Sequence, residues 1–201
     1  MSTAIADVRR RVAGFSLVEL MFAVSIACTL TAIAVPQVSE GLEDYRTRAA
    51  ARYVAMRIGQ ARFAAITRST HVGLQFEAAG ADYRFAAVVD GNGNGLRISD
   101  VQHGDDPVVA PPELLAWNFS GVSFGLLSGV PDADGHANSS ADGVRIGAST
   151  LLSMNPNGSS SGGTLYVRGR THAQYAVRVL GATGRVRVLR YDPIRRTWTE
   201  S

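Results

Sequence analysis

The sequence predicts an α+β fold, in which a long amino-terminal transmembrane and amphipathic helix is followed by an antiparallel β-sheet globular domain. Three observations predict it. Phe15 to Val35 is an apolar run with one charged residue, Glu19. Beyond Pro36, apolar residues recur at steps of three, four or seven as far as Ile66, the period of a helix with one apolar face. After Ser69 and Thr70 the period falls to two, and short alternating segments are separated by Gly, Asn, Asp and Ser clusters, as strands and turns require.

Taken in order, residues 1–14 are polar and basic, with Arg9, Arg10 and Arg11 just before the apolar run. Such a cluster holds its end of a span in the cytoplasm and puts the rest of the chain on the other side. Residues 15–35, at about 1.5 Å per residue, make a helix of roughly 30 Å, the thickness of a bilayer's hydrocarbon core. A carboxylate within such a helix costs about 2.5–3.5 kcal/mol on insertion scales, so Glu19 calls for a partner. Residues 36–68 read as an amphipathic stalk whose apolar face carries Val38, Leu42, Tyr45, Ala49, Tyr53, Met56, Phe63 and Ile66. Pro36 lacks an amide hydrogen and crowds the preceding turn, which predicts a kink or a loosened turn rather than a stop.

Residues 69–201 form the globular part. Val72, Leu74 and Phe76, then Tyr83, Phe85, Ala87 and Val89, alternate on either side of a turn at Ala78 to Ala81 and predict a hairpin. Residues 90–113 read as a long loop, Trp117 to Leu127 as holding a strand, and Gly129 to Gly143 as a mobile connection. Further strands are predicted near Val144 to Ile146, Thr150 to Ser153, Thr164 to Arg168, Gln174 to Leu180 and Arg185 to Tyr191, the last two joined tightly through Gly181 to Gly184.

The length suits one span and one globular domain. All 20 basic residues are arginine. Residues 69–139 hold nine acids against two arginines, a net of −7, whereas residues 140–201 hold nine arginines against three acids, a net of +6. The two halves either pair inside one domain or offer a subunit contact or an anion site. Cys28 is the one cysteine, so no intramolecular disulfide forms.

Gly14, then Phe15, Ser16-Leu17-Val18-Glu19-Leu20, the apolar run and Pro36 together resemble the class III signal of type IV pilins and type II secretion pseudopilins. An ordinary secretory signal is cut after its apolar core and lacks an acid in the first turn of that core. A twin-arginine signal fits poorly, because Ala13-Gly14 interrupts the residues after the arginines. The resemblance implies cleavage after Gly14 by a prepilin peptidase and methylation of the new terminus at Phe15. It also implies that Glu19 pairs with the free amine of a neighbouring subunit during assembly. The phrases Asn155-Pro156-Asn157-Gly158, Gly162 to Val167 and Gly184-Arg185-Val186-Arg187 resemble the GspH/FimT branch of minor subunits. The expected partners are other pilins or pseudopilins in a filament, the prepilin peptidase and the inner membrane. The expected topology is single-pass, with residues 69–201 periplasmic. Two functions follow, a GspH-like minor pseudopilin of a type II secretion system or a FimT-like pilin binding DNA for natural transformation. Nucleic acid is the less favoured partner, since the mature chain would carry 17 arginines against 16 acids.

Two local motifs remain. Asp90-Gly91-Asn92-Gly93-Asn94-Gly95 matches the opening of a calcium loop, with Asp90, Asn92, Asn94 and Asp100 as oxygen ligands. Its twelfth position is Val101 rather than a carboxylate, so the choice lies between a plain turn and a weak calcium site; no other cofactor is expected. Arg185 and Arg187 share one face of a strand, with Arg190 close in sequence, and suit either phosphate binding or a hairpin edge guarded by charge. His71, His103, His136 and His172 lack metal-ligand spacing and no nucleophile motif occurs, so no enzyme is expected.

Overall fold

The computed structural model describes residues 14–137, 142–147 and 149–201. The leader expected over residues 1–14 lies outside the described residues except for Gly14, and so do residues 138–141 of the stretch read as mobile. The chain divides into two compact units, Met1–Ser39 and Glu40–Ser201.

In the first unit the long helix α1 (Leu17–Arg68) begins. Ser16 caps it, its Oγ accepting from the Val18 amide at 3.3 Å. The hydroxyls of Ser25, Thr29 and Thr31 donate to the carbonyls of Met21, Ser25 and Ala27, one turn back, so the apolar helix offers no unmet hydroxyl to its surroundings. Leu17 to Val35 is apolar enough and long enough to cross a membrane, and its side chains lie exposed. Pro36 sits inside α1, which continues through it.

In the second unit, α1 is followed by β1 (Val72–Ala79), β2 (Asp82–Val89), α2 (Ile98–His103), β3 (Glu113–Leu114), α3 (Leu115–Asn118) and β4 (Ser123–Phe124). The remaining strands are β5 (Val144–Arg145), β6 (Leu151–Met154), β7 (Gly163–Arg168), β8 (Gln174–Leu180), β9 (Arg185–Asp192) and β10 (Thr197–Glu200). The expected antiparallel sheet is two sheets. One runs β3-β2-β1-β6; the other runs β10-β9-β8-β7-β4, with β5 also pairing β7. The β1–β2 hairpin turns at Gly80, whose φ of 68° favours glycine. Phe76, Phe85 and Phe124 join the sheets, with centroids 5.6–5.9 Å apart and both contacts to Phe124 edge-on.

The principal core lies where both sheets face α1. It takes Val72, Leu74 and Phe76 from β1, Phe85 from β2, Leu152 and Met154 from β6, and Tyr175, Val177 and Val179 from β8. The helix contributes Ala50, Ala51, Val54, Ile58, Ala61 and Ala65. The apolar stripe read from periodicity is therefore not the one the domain buries. Leu42, Tyr45, Met56, Phe63 and Ile66 point outward, Phe63 being 71% exposed, Tyr53 of the stripe packs partly on the core, and the inward face is mostly alanine with Val54 and Ile58. Small side chains let the helix backbone approach the sheets, and the bulk in the contact comes from the strands. A smaller cluster of Leu126, Val130, Tyr166, Ala176 and Tyr191, with Trp198 packed on it, covers the other face of the second sheet.

Four elements differ from the sequence expectation. The stretch 90–113 contains α2 and ends in β3, α3 precedes the strand expected within Trp117 to Leu127, which is β4, and β10 adds a strand after Tyr191.

Candidate functional site

The amino-terminal motif is built around the start of α1. Gly14 and Phe15 precede the helix in irregular, exposed chain, Phe15 being 84% exposed. Glu19 lies exposed in the first turn, at the third position after the cap Ser16. The Ser16-to-Glu19 spacing is that of a capping box, and an acid in the first turn also complements the helix dipole. Ser16 is thus a part of the motif that spacing to Glu19 makes readable, although attention to the carboxylate alone passes over it.

The arginine strand is β9. Strand alternation puts Arg185, Arg187, Leu189 and Tyr191 on one face and Val186, Val188 and Arg190 on the other, which faces α1. Arg190 is therefore not part of one basic face with Arg185 and Arg187; its guanidinium meets Asp44 of α1 at 3.2 Å. Cross-strand register carries the outer face on through Arg178 opposite Arg187, Thr164 opposite Arg178, and Arg145 opposite Thr164. This arginine row is partly neutralised. Asp134 holds Arg178 at 2.7 Å and Asp132 holds Arg145 at 3.4 Å, both acids coming from the segment that crosses the face and is pinned where the Ala133 amide donates to the Tyr166 hydroxyl. Burial pushes the Asp132 carboxyl up, but the amides of His136 and Asp134, with His136 and Arg145 nearby, outweigh it and hold the group below the usual range. Of the row, Arg187 keeps a buried Nε that finds no hydrogen-bond partner among the described residues. The acidic and basic halves of the sequence thus meet here, within one domain.

The glycines of the second-half phrases have a shared cause. Gly158 and Gly184 both take positive φ, 83° and 61°, and a Cβ on Gly184 would fall 2.4 Å from the Gly158 carbonyl oxygen. Arg62 of α1 donates from Nε to that oxygen at 2.9 Å. The 155–158 and 184–187 phrases are accordingly neighbours, fastened to the helix by one guanidinium.

The residues considered for calcium form a loop closed by its own donors. Asp90 is buried; its two oxygens accept from the amides of Gly93 and Gly95 at 2.7 and 2.9 Å, and His71 Nδ1 lies 3.3 Å away. Burial alone would raise the Asp90 carboxyl, yet these bonds hold it below the ordinary aspartate value. Asn92 and Asn94 turn their amide nitrogens to Asp100, which these bonds and the Ser99 hydroxyl hold low. Asp106, unmarked by any motif, is buried and accepts from the amides of Gly91 and Arg97. Among the described residues no group of three or more His, Cys, Asp or Glu could hold a metal ion. As arranged, the loop's order comes from amide-to-carboxylate bonds.

Sequence reasoning missed the attachment of α1 to the second sheet. Glu43 accepts from the Thr171 hydroxyl at 2.6 Å and from the amides of Thr171, His172 and Ala173 at 2.9, 3.1 and 3.3 Å. The Tyr175 hydroxyl donates to Asp44 at 3.0 Å. Further along, Glu113 receives the Tyr53 hydroxyl at 2.6 Å and pairs with Arg57 at 3.0 Å. No local pattern marks these acids, because their partners lie far away in sequence.

Comparison with curated proteins and with solved structures gives no match. The family model described as the prokaryotic N-terminal methylation motif matches residues 9–35, the stretch that holds Gly14, Phe15, Ser16 and Glu19. This chain therefore carries a prepilin-type amino-terminal methylation signal at the head of an apolar helix that precedes an antiparallel β domain.

Proposed function

We propose that the chain is a minor, GspH-like pseudopilin of a type II secretion system, held in the inner membrane by residues 15–35 until it joins a periplasmic filament. The observation that carries this reading is the methylation motif directly ahead of an exposed apolar helix. Prepilin peptidase cuts after Gly14 and methylates Phe15, and Glu19 receives a neighbour's terminal amine. The helix supplies the assembly surface and the β domain supplies the contacts that distinguish this subunit from others. The role is assembly rather than catalysis, with no cofactor. The paired acids Asp132 and Asp134 on the arginine row favour a protein contact over a polyanion.

The chain contains no lysine, so the amino terminus is its one primary amine and mass and amine labelling both report on processing. Co-expression with a prepilin peptidase is expected to yield a product beginning at a monomethylated Phe15, and Gly14→Val is expected to leave the leader in place. A product of unchanged mass from the native sequence would sink the reading.

The placement of Arg185 and Arg187 on one face supports a second reading, a FimT-like DNA-uptake pilin. On that reading the full chain in detergent binds duplex DNA with an affinity that falls steeply with salt, and Arg185→Ala/Arg187→Ala removes most of it. On the favoured reading the double substitution leaves whatever weak DNA binding exists unchanged.

A further inference from the structure

The far end of β9 leads into a turn that the function above does not use. Pro193, Ile194, Arg195 and Arg196 connect β9 to β10; Ile194 is 92% exposed, and Arg196 holds a φ of 53°. Asp192 Oδ1 accepts from the amides of Ile194 and Arg195, which fixes the turn so that the isoleucine stands out from it. An isoleucine presented at the tip of a hydrogen-bonded turn, just ahead of Arg195 and Arg196, is not explained by the domain's own packing.

Register places this turn beside a second one. Arg168 pairs with Gln174, Tyr175 with Arg190 and Asp192 with Thr197, so the β7–β8 turn, with Arg170 and His172, lies at the same end of the sheet as the β9–β10 turn. Glu43 and Asp44 bind Thr171, Tyr175 and Arg190, which puts the beginning of the domain's stretch of α1 at that end too, with exposed Arg46 and Arg48 on it. Three of the acids there are engaged, Glu43 by the β7–β8 turn and His172, Asp44 by Tyr175 and Arg190, and Asp192 by the turn amides, while Glu40, one helical turn before Asp44, is exposed. Among the described residues, Arg46, Arg48, Arg170 and Arg196 form no ion pair with an acid at this end, and Arg195 pairs with Asp192 at 3.9 Å.

In sequence this is also the end of the domain nearest the apolar run, since Glu43 follows Val35 by eight residues. We infer that it is a membrane-surface dock, in which these arginines bind the phosphates of anionic phospholipids and Ile194 enters the interface between headgroups and acyl chains. The surface carries the charge such lipids complement, and its apolar tip suits the interface and not free phosphate. The inference rests on residues 15–35 being a membrane anchor. Attraction of this kind fades within a Debye length, about 8 Å at physiological salt, so it acts on a subunit still in the bilayer and is lost when the subunit leaves it.

The test is hydrogen exchange on the full chain in nanodiscs of phosphatidylcholine alone or with a third phosphatidylglycerol. Residues 168–172 and 192–197 are expected to exchange several-fold more slowly in the anionic discs, with the difference lost in 0.5 M salt and in Arg195→Glu/Arg196→Glu. Ile194→Asp should remove most of the protection while leaving exchange in the β1–β2 hairpin unchanged, which shows that the domain is still folded. Equal exchange in both discs overturns the dock. So does protection that inorganic phosphate reproduces in neutral discs, or protection by duplex DNA that exceeds that by anionic lipid. Failure of the chain to enter discs at all would instead defeat the anchor reading on which the dock rests.

Discussion

Replacing Glu43 by alanine is expected to lower the stability of the β domain by about 2–4 kcal/mol, and by glutamine about half as much. Hydrogen bonds to an ionised acceptor contribute roughly 1.5–3 kcal/mol each, but four donors sharing one carboxylate do not add, and solvent reaches Thr171 and His172. The effect has a pH signature. Burial raises the carboxyl, and the bonds from the Thr171 hydroxyl and the three amides outweigh it, taking the group from the ordinary 4.5 to about 2. A depressed folded-state value means that the contribution is complete above the unfolded value of 4.5 and disappears as pH falls towards 2. Denaturant titration between those limits should show the native protein losing stability and Glu43→Gln losing distinctly less. Equal slopes would remove Glu43 as the acid-sensitive tie. Gly169 belongs to the same contact, because a Cβ there would meet Glu43 Oε1 at 2.4 Å; Gly169→Ala should therefore reproduce part of the loss without touching a charge.

Ala51→Leu should cost about 3 kcal/mol or more, whereas Phe63→Ser should change the stability of the isolated protein by about 0.5 kcal/mol or less. Ala51 is fully buried against the strands, and a leucine needs room that the helix can provide only by moving away. It is not free to move, since Glu43 and Asp44 fasten it at one end and Arg62 at the other. In a domain of this size such a loss lowers the melting temperature by roughly 6–12 °C, readable by circular dichroism in detergent. A Phe63→Ser melting shift as large as that of Ala51→Leu would mean that the outward stripe belongs to the fold after all.

The strands with strict alternation were legible because period two decides which face is buried. Val72, Leu74, Phe76 and Phe85 all reach the core, and Gln174 to Leu180 is β8 to the residue. Two-residue strands such as β3 and β4 are too short to show any period, and α2 is a six-residue helix whose one apolar pair, Ile98 and Val101, is too short a signal to stand out. The helix itself was legible, but its inward face was not. Hydrophobicity marks Met56, Phe63 and Ile66, while Ala50, Ala51, Ala61 and Ala65 carry too little apolar surface to stand out. At the amino terminus the methylation motif over residues 9–35 was readable because that signal is contiguous. Arg190 is near Arg185 and Arg187 in sequence but lies on the opposite face, since one residue more or fewer on a strand changes the face, and Glu43 was invisible because its partners begin at Thr171.

The split between a small inward face and a bulky outward stripe on α1 has an evolutionary consequence. Positions 47, 50, 51, 54, 58, 61 and 65 answer to the domain's own packing, while Leu42, Tyr45, Met56, Phe63 and Ile66 owe it little. Substitutions can accumulate along the stripe without passing through an unfolded intermediate sequence. The helix is thus free to drift in which neighbour it accepts while the β domain behind it stays fixed, and a duplicated copy could acquire a new partner through changes on one helix face alone.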